Sequence, residues 1–117
     1  MALAGSRILV IEDEPLVAMM VEDMLVECGA EVIGPASTLA DAFALAEAGG
    51  FDAALVDVNL NGERSDAVAA LLRERGIPFI YATGYGAAAD DGATLTKPYR
   101  REQMEAALER ALDGSSP

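Results

Sequence analysis

The sequence predicts an α/β domain in which a doubly wound, five-stranded parallel sheet lies between layers of helices. Three observations predict it. Short, β-branched apolar runs alternate with amphipathic segments five times along the 117 residues, the pattern of parallel strands joined by crossover helices. The first and third runs are apolar nearly throughout, as suits strands buried on both faces. Four of the runs stop abruptly at polar residues, namely Glu12-Asp13, Asp57, Thr83-Gly84 and Lys97-Pro98.

The elements follow in order. Residues 7–11 form the first strand. Pro15 suits the first turn of a helix, with Glu12, Asp13 and Glu14 just before it at the positive end of the helix dipole. In that helix Val17, Met20, Val21, Met24 and Cys28 recur at 3.6-residue spacing as the expected buried stripe, and Gly29 ends it. Met19, Met20 and Met24 read as core filling, and Cys28 as a buried small hydrophobe. Residues 31–34 form a short second strand. Thr38 with Asp41 resembles a capping box ahead of Leu39, Ala42, Phe43 and Ala46, and Gly49-Gly50 closes that helix. Residues 52–58 are the third strand, followed by a turn over 59–62. Ser65 or Asp66 is positioned to cap a helix carrying Val68, Leu71 and Leu72, which stops at Gly76. Residues 78–82 are the fourth strand and 93–96 a weak fifth. A last helix over 100–112 carries Met104, Ala107, Leu108, Ala111 and Leu112 on one face. The domain is expected to occupy residues 7–112, with 1–6 and 113–117 as flexible termini.

Composition narrows the chemistry. A chain of 117 residues fits one domain, and 52% hydrophobic residues exclude an intrinsically disordered chain. Eight basic against 20 acidic residues leave a net charge of −12, which argues against nucleic acid and anionic membranes as partners. A single cysteine and no histidine exclude a disulfide framework, Ser/His and Cys/His catalysis and most zinc chemistry. Carboxylate, hydroxyl and lysine remain. No apolar run approaches a membrane span and no basic region precedes an apolar start, so a cytoplasmic location is the expectation.

Parallel sheets bind ligands at the carboxyl ends of their strands. Each residue there has a plain structural reading. The acids at 12–14 decorate a helix start, Asp57 opens a turn, Thr83 caps one, and Lys97 is a solvated cation. Together they ask for a ligand. Converging acids repel one another unless a hard divalent cation with oxygen ligands lies among them.

In this order the motifs Glu12-Asp13, Asp57 to Gly62, Thr83-Gly84 and Lys97-Pro98 resemble a receiver domain of two-component response regulators over roughly residues 7–112. The run Tyr81 to Gly86 is similar to the "FAT GUY" subgroup, with Tyr81 in the place of Phe. The resemblance implies a flavodoxin-like strand order 2-1-3-4-5 and a cis peptide before Pro98. It implies Asp57 as phosphoacceptor, Asp13 as direct Mg2+ ligand (with Mn2+ as a substitute) and Glu12 holding metal-bound water. The Asn59 main-chain carbonyl would be a further ligand, Thr83 would hydrogen-bond the phosphoryl group and Lys97 would pair with it. Physics agrees: a carboxylate attacking a phosphoryl group is anion meeting anion, so a metal must offset the charge. Gly84 leaves room for the phosphoryl oxygens.

The implied function is a stand-alone receiver, phosphorylated by a sensor histidine kinase or a histidine phosphotransfer protein. It would signal to a downstream protein by contact or by phosphorelay, and it is no enzyme beyond its own aspartyl phosphorylation and dephosphorylation. A small metal-dependent phosphatase of haloacid-dehalogenase type is the alternative, although its second Asp is Asn59 here. A flavodoxin-like cofactor carrier is a third reading, opposed by acids where a phosphate loop belongs.

The switch departs from the family pattern. Thr94 stands where receivers carry an aromatic residue, and only thirteen residues lie between Thr83 and Lys97. Helix four, over 84–92, is therefore expected to be short or labile. The expected switch residues are Thr83, Gly84, Tyr85, Gly86, Thr94 and Pro98.

Overall fold

The computed structural model describes residues 3–84 and 93–113. Its elements run β1 (Arg7–Ile11), α1 (Pro15–Glu27), β2 (Glu31–Ala36), α2 (Leu39–Ala48), β3 (Ala53–Asp57), β4 (Asn59–Leu60), β5 (Glu63–Arg64), α3 (Asp66–Glu74), β6 (Phe79–Thr83), β7 (Ala93–Thr96) and α4 (Arg101–Leu112). The main sheet has the order β2-β1-β3-β6-β7, parallel throughout. With the small β4–β5 hairpin set aside, that is the expected order 2-1-3-4-5.

Two cores form because successive strand residues point to opposite faces. Ile8, Val10, Leu55 and Ile80 pack with Val21 and Leu25 of α1 and with Met104 and Leu108 of α4. Leu9, Ile11, Ala54 and Val56 pack on the other face with Ala42 and Ala46 of α2 and with Val68 and Leu72 of α3. Near-continuous apolarity in β1 and β3 follows, since both of their faces are covered.

Several expectations change. In α1 the buried residues are Ala18, Val21 and Leu25, whereas Met19 and Met20 are 57% and 55% exposed. Leu16, Met19, Met20 and Val26 share the outer side with Glu22, Asp23 and Glu27, so apolar periodicity marks the inner side only weakly. Strand β2 continues to Ala36 through a cis Gly34–Pro35 peptide, and its register against β1 shifts between Leu9 and Ile11. A proline fits there because β2 is an edge strand. Thr38 accepts from the Asp41 N–H at 3.1 Å, as a cap should. Ser65 precedes α3 but makes no cap; its hydroxyl donates to the carbonyls of Asp57 at 2.5 Å and Val58 at 3.2 Å. Residues 59–62 open a hairpin, turning at Asn61-Gly62 with φ of 52° and 84°; positive φ at both positions suits the twist of the flanking strands. Residues 3–6, left outside the domain on sequence grounds, pack against it: Leu3 is fully buried and the Gly5 N–H donates to the Gly29 carbonyl. The expected helix four, with Tyr85 and Gly86, lies outside the described residues, as do residues 114–117.

Candidate functional site

Because the strands are parallel, every loop that follows one opens on the same edge of the sheet. Glu12 and Asp13 follow β1, Asp57 ends β3, Thr83 ends β6 and Lys97 follows β7. The parallel sheet thus gathers residues up to 85 positions apart.

The Lys97 ammonium sits at the centre. Its Nζ donates to Glu12 Oε1 at 2.9 Å and to Asp57 Oδ2 at 3.1 Å. The Lys97 backbone N–H donates to the Thr83 carbonyl at 2.7 Å, and the Lys97–Pro98 peptide is cis. Backbone donors hold one further oxygen of each acid. Glu14 N–H reaches Glu12 Oε2 at 3.1 Å, Asn59 N–H reaches Asp57 Oδ1 at 3.2 Å, and Asn61 N–H reaches Asp13 Oδ2 at 2.8 Å. One oxygen from each of Glu12, Asp13 and Asp57 lies within 4.8 Å of the others.

Burial sets the electrostatics. Glu12 and Asp57 are 5% and 6% exposed, while Asp13 is half-buried. Loss of water pushes the Glu12 carboxyl up to about 7, with Asp57 adding to the rise and Lys97 and the Glu14 N–H opposing it. Burial alone would lower the Lys97 ammonium, but its hydrogen bonds to Glu12 and Asp57 outweigh that, and its pKa is raised. The Tyr99 phenol is also raised, by burial first and by the two acids next. A single ammonium among three acids leaves negative charge uncompensated. Clustered hard oxygens in this setting fit Mg2+ or Mn2+.

The structure therefore brings together Glu12, Asp13, Asp57 and Lys97, with Thr83 joined through its carbonyl and Asn59 through its N–H. The Thr83 residue is buried, and Thr94 is half-buried on β7 opposite Tyr81. Gly84 is exposed, and a Cβ built on it would meet no heavy atom within 4 Å. Two contributors escaped the sequence reading. Ser65 ties down the Asp57 carbonyl from eight residues away. Asn61 holds Asp13 from 48 residues away; its Asn-Gly dipeptide signals a hairpin, but nothing local names Asp13 as its acceptor.

Comparison with known proteins identifies the family and the fold. The family described as the response regulator receiver domain matches residues 8–109. The transcriptional regulatory protein TcrA of Mycobacterium tuberculosis is 36% identical over 127 residues, covering 97% of this chain and 48% of that protein. The solution structure of SdrG from Sphingomonas melonis Fr1 superposes with a TM-score of 0.81 at 43% identity, covering 96% of this chain and 98% of that one. The receiver domain of sensor histidine kinase PA1611 from Pseudomonas aeruginosa PAO1, with magnesium coordinated in its active-site cleft, superposes with a TM-score of 0.83 at 26% identity, covering 94% and 99%. The chain spans about half the length of the curated relatives it matches.

Proposed function

This chain belongs to the response regulator receiver family, and from that premise we propose that it accepts a phosphoryl group on Asp57 from a phosphohistidine of a partner. The observation that carries the reading is Lys97 Nζ lying 3.1 Å from Asp57 within the acidic cluster. One Asp57 carboxylate oxygen attacks phosphorus, forming an O–P bond as the P–N bond of the phosphohistidine breaks. The bonding pair leaves with the imidazole nitrogen, which takes a proton from solvent. Attack by water later returns Asp57 and inorganic phosphate.

Asp13, Asp57 and the Asn59 main-chain carbonyl would hold Mg2+, or Mn2+ in its place, with Glu12 on a metal-bound water. When bound, that ion supplies positive charge where two anions meet. Lys97 is a compact charge on a flexible stem, able to leave Glu12 and follow the phosphoryl oxygens. The Thr83 hydroxyl donates to one of those oxygens.

The partner is a sensor histidine kinase or a histidine phosphotransfer protein, and output is contact with a downstream protein or onward relay. Supporting this, Leu16, Met19, Met20 and Val26 are exposed along one side of α1, which begins beside the acidic loop. No described helix is long and apolar enough to cross a membrane. The haloacid-dehalogenase alternative gains nothing: the residue two past Asp57 is Asn59, which offers Asp57 a backbone N–H and no acid.

The test is intact-mass measurement after incubation with Mg2+ and a small phosphodonor. Wild type gains one phosphoryl group and Asp57→Asn, folded, gains none. A label retained on the mutant overturns the assignment.

A further inference from the structure

The β4–β5 hairpin is built more firmly than a connecting turn requires. At its base the Ser65 N–H donates to the Val58 carbonyl at 2.9 Å, beside the two Ser65 hydroxyl contacts. Leu60 is fully buried in the α2–α3 core, and Arg64 grips Asp66 through two bonds of 2.8 and 3.2 Å. The tip then reaches across two other loops. The Asn61 N–H donates to Asp13 Oδ2 at 2.8 Å, and the Asn61 side-chain amide donates to the Ser37 carbonyl at 3.0 Å. One short element thus ties the loop after β3 to those after β1 and β2.

Its two ends hold two different acids. Asn59 N–H holds one oxygen of Asp57, and Asn61 N–H holds one oxygen of Asp13. Asp13 is the least buried of the three acids, and the Asn61 N–H is the one hydrogen-bond donor to it among the described residues. Without that bond the carboxylate is free to rotate on its loop. With it, one oxygen is anchored and the other is left for a cation.

We infer that the β4–β5 hairpin is a strap that sets the divalent-cation affinity of the site, with Asn61 acting as a positioning residue for Asp13 through its backbone N–H. This rests on the metal reading above. Partners that orient a metal ligand typically change metal affinity by about 10- to 100-fold, so the strap is worth a measurable factor. A turn that serves the fold alone would change stability and leave affinity where it was.

Gly62 offers a lever on the backbone. Its φ is 84°, and a Cβ there meets no heavy atom within 4 Å, so the first side-chain atom of a substituent strains the backbone without a clash. Valine is strained at such a φ, whereas asparagine tolerates it. Calorimetric Mg2+ titration of wild type, Gly62→Val and Gly62→Asn is expected to show at least about tenfold weaker binding for Gly62→Val. Gly62→Asn is expected to bind close to wild type. An unchanged dissociation constant in Gly62→Val, with only a lower metal-free melting temperature, overturns the inference. Should Gly62→Val fail to fold, amide exchange of wild type decides. An Asn61 amide that is protected and shifts on Mg2+ addition supports the strap, and one that exchanges like an open turn overturns it. A wild type that takes up no Mg2+ defeats the metal reading together with the strap, whereas binding that ignores Gly62→Val defeats the strap alone.

Discussion

Lys97 Nζ and Asp57 Oδ2 stand 3.1 Å apart, although forty residues separate them in the chain. The same ammonium also holds Glu12, so one cation serves two buried acids. On the proposed function, Lys97 is both the structural partner of the resting site and the charge that turns to an incoming phosphoryl oxygen.

Removing that ammonium leaves two buried carboxylates short of a donor. Lys97→Ala should lower metal-free stability by about 3 kcal/mol, since an unsatisfied buried charge costs more than the roughly 1–3 kcal/mol typical of a neutral polar group. Urea denaturation in the presence of a chelator measures it. Unaltered stability would mean that water already serves the two acids.

Asp13→Ala should all but abolish the response to magnesium. At a hundredfold excess over its dissociation constant, a ligand bound only by the native state adds about 2.7 kcal/mol. Wild type should gain on that scale, whereas the variant, relieved of one repelling acid, should melt higher without metal and gain little from it. Equal thermal shifts in both proteins would place the metal elsewhere.

The raised Glu12 carboxyl has a pH signature in metal-free buffer. Unfolded, this group titrates near 4.5; folded, near 7. Below the lower value both states hold the proton, and the contribution to stability is fully present. As pH rises the unfolded chain releases its proton first, so stability falls, and the loss is complete once pH passes about 7. Urea midpoints against pH should therefore decline over this window, and Glu12→Gln should flatten the decline. A rising profile would reverse the assigned sign.

Ser65→Asp separates a helix cap from a buried tie. Aspartate caps as well as serine does, so the swap would be nearly neutral if Ser65 were an N-cap. Here the hydroxyl is fully buried and donates to two carbonyls, which a carboxylate cannot do. Denaturant unfolding should show a loss of at least about 2 kcal/mol, as expected for burying an unpaired charge. A loss within a few tenths would restore the capping role.

Local sequence patterns suffice for the five parallel strands and for the set of residues at their ends. Hydrophobic runs and turn residues act over a few positions, and parallel order then places Glu12, Asp13, Asp57, Thr83 and Lys97 on one edge without further information. Which residue holds which depends on long-range packing. Lys97 bridges to Glu12 across 85 residues, Asn61 clasps Asp13 across 48, and Ser65 turns from the helix it precedes to the Asp57 carbonyl. Packing also decided that Met19 and Met20 face outward and that Leu3 is buried. Where apolar residues share the outer side of a helix with its acids, as in α1, apolar periodicity marks the inner side weakly. The acceptor of a lone backbone N–H depends on which loops meet in space, and that is set by the packing of both cores rather than by any residue near it in the chain.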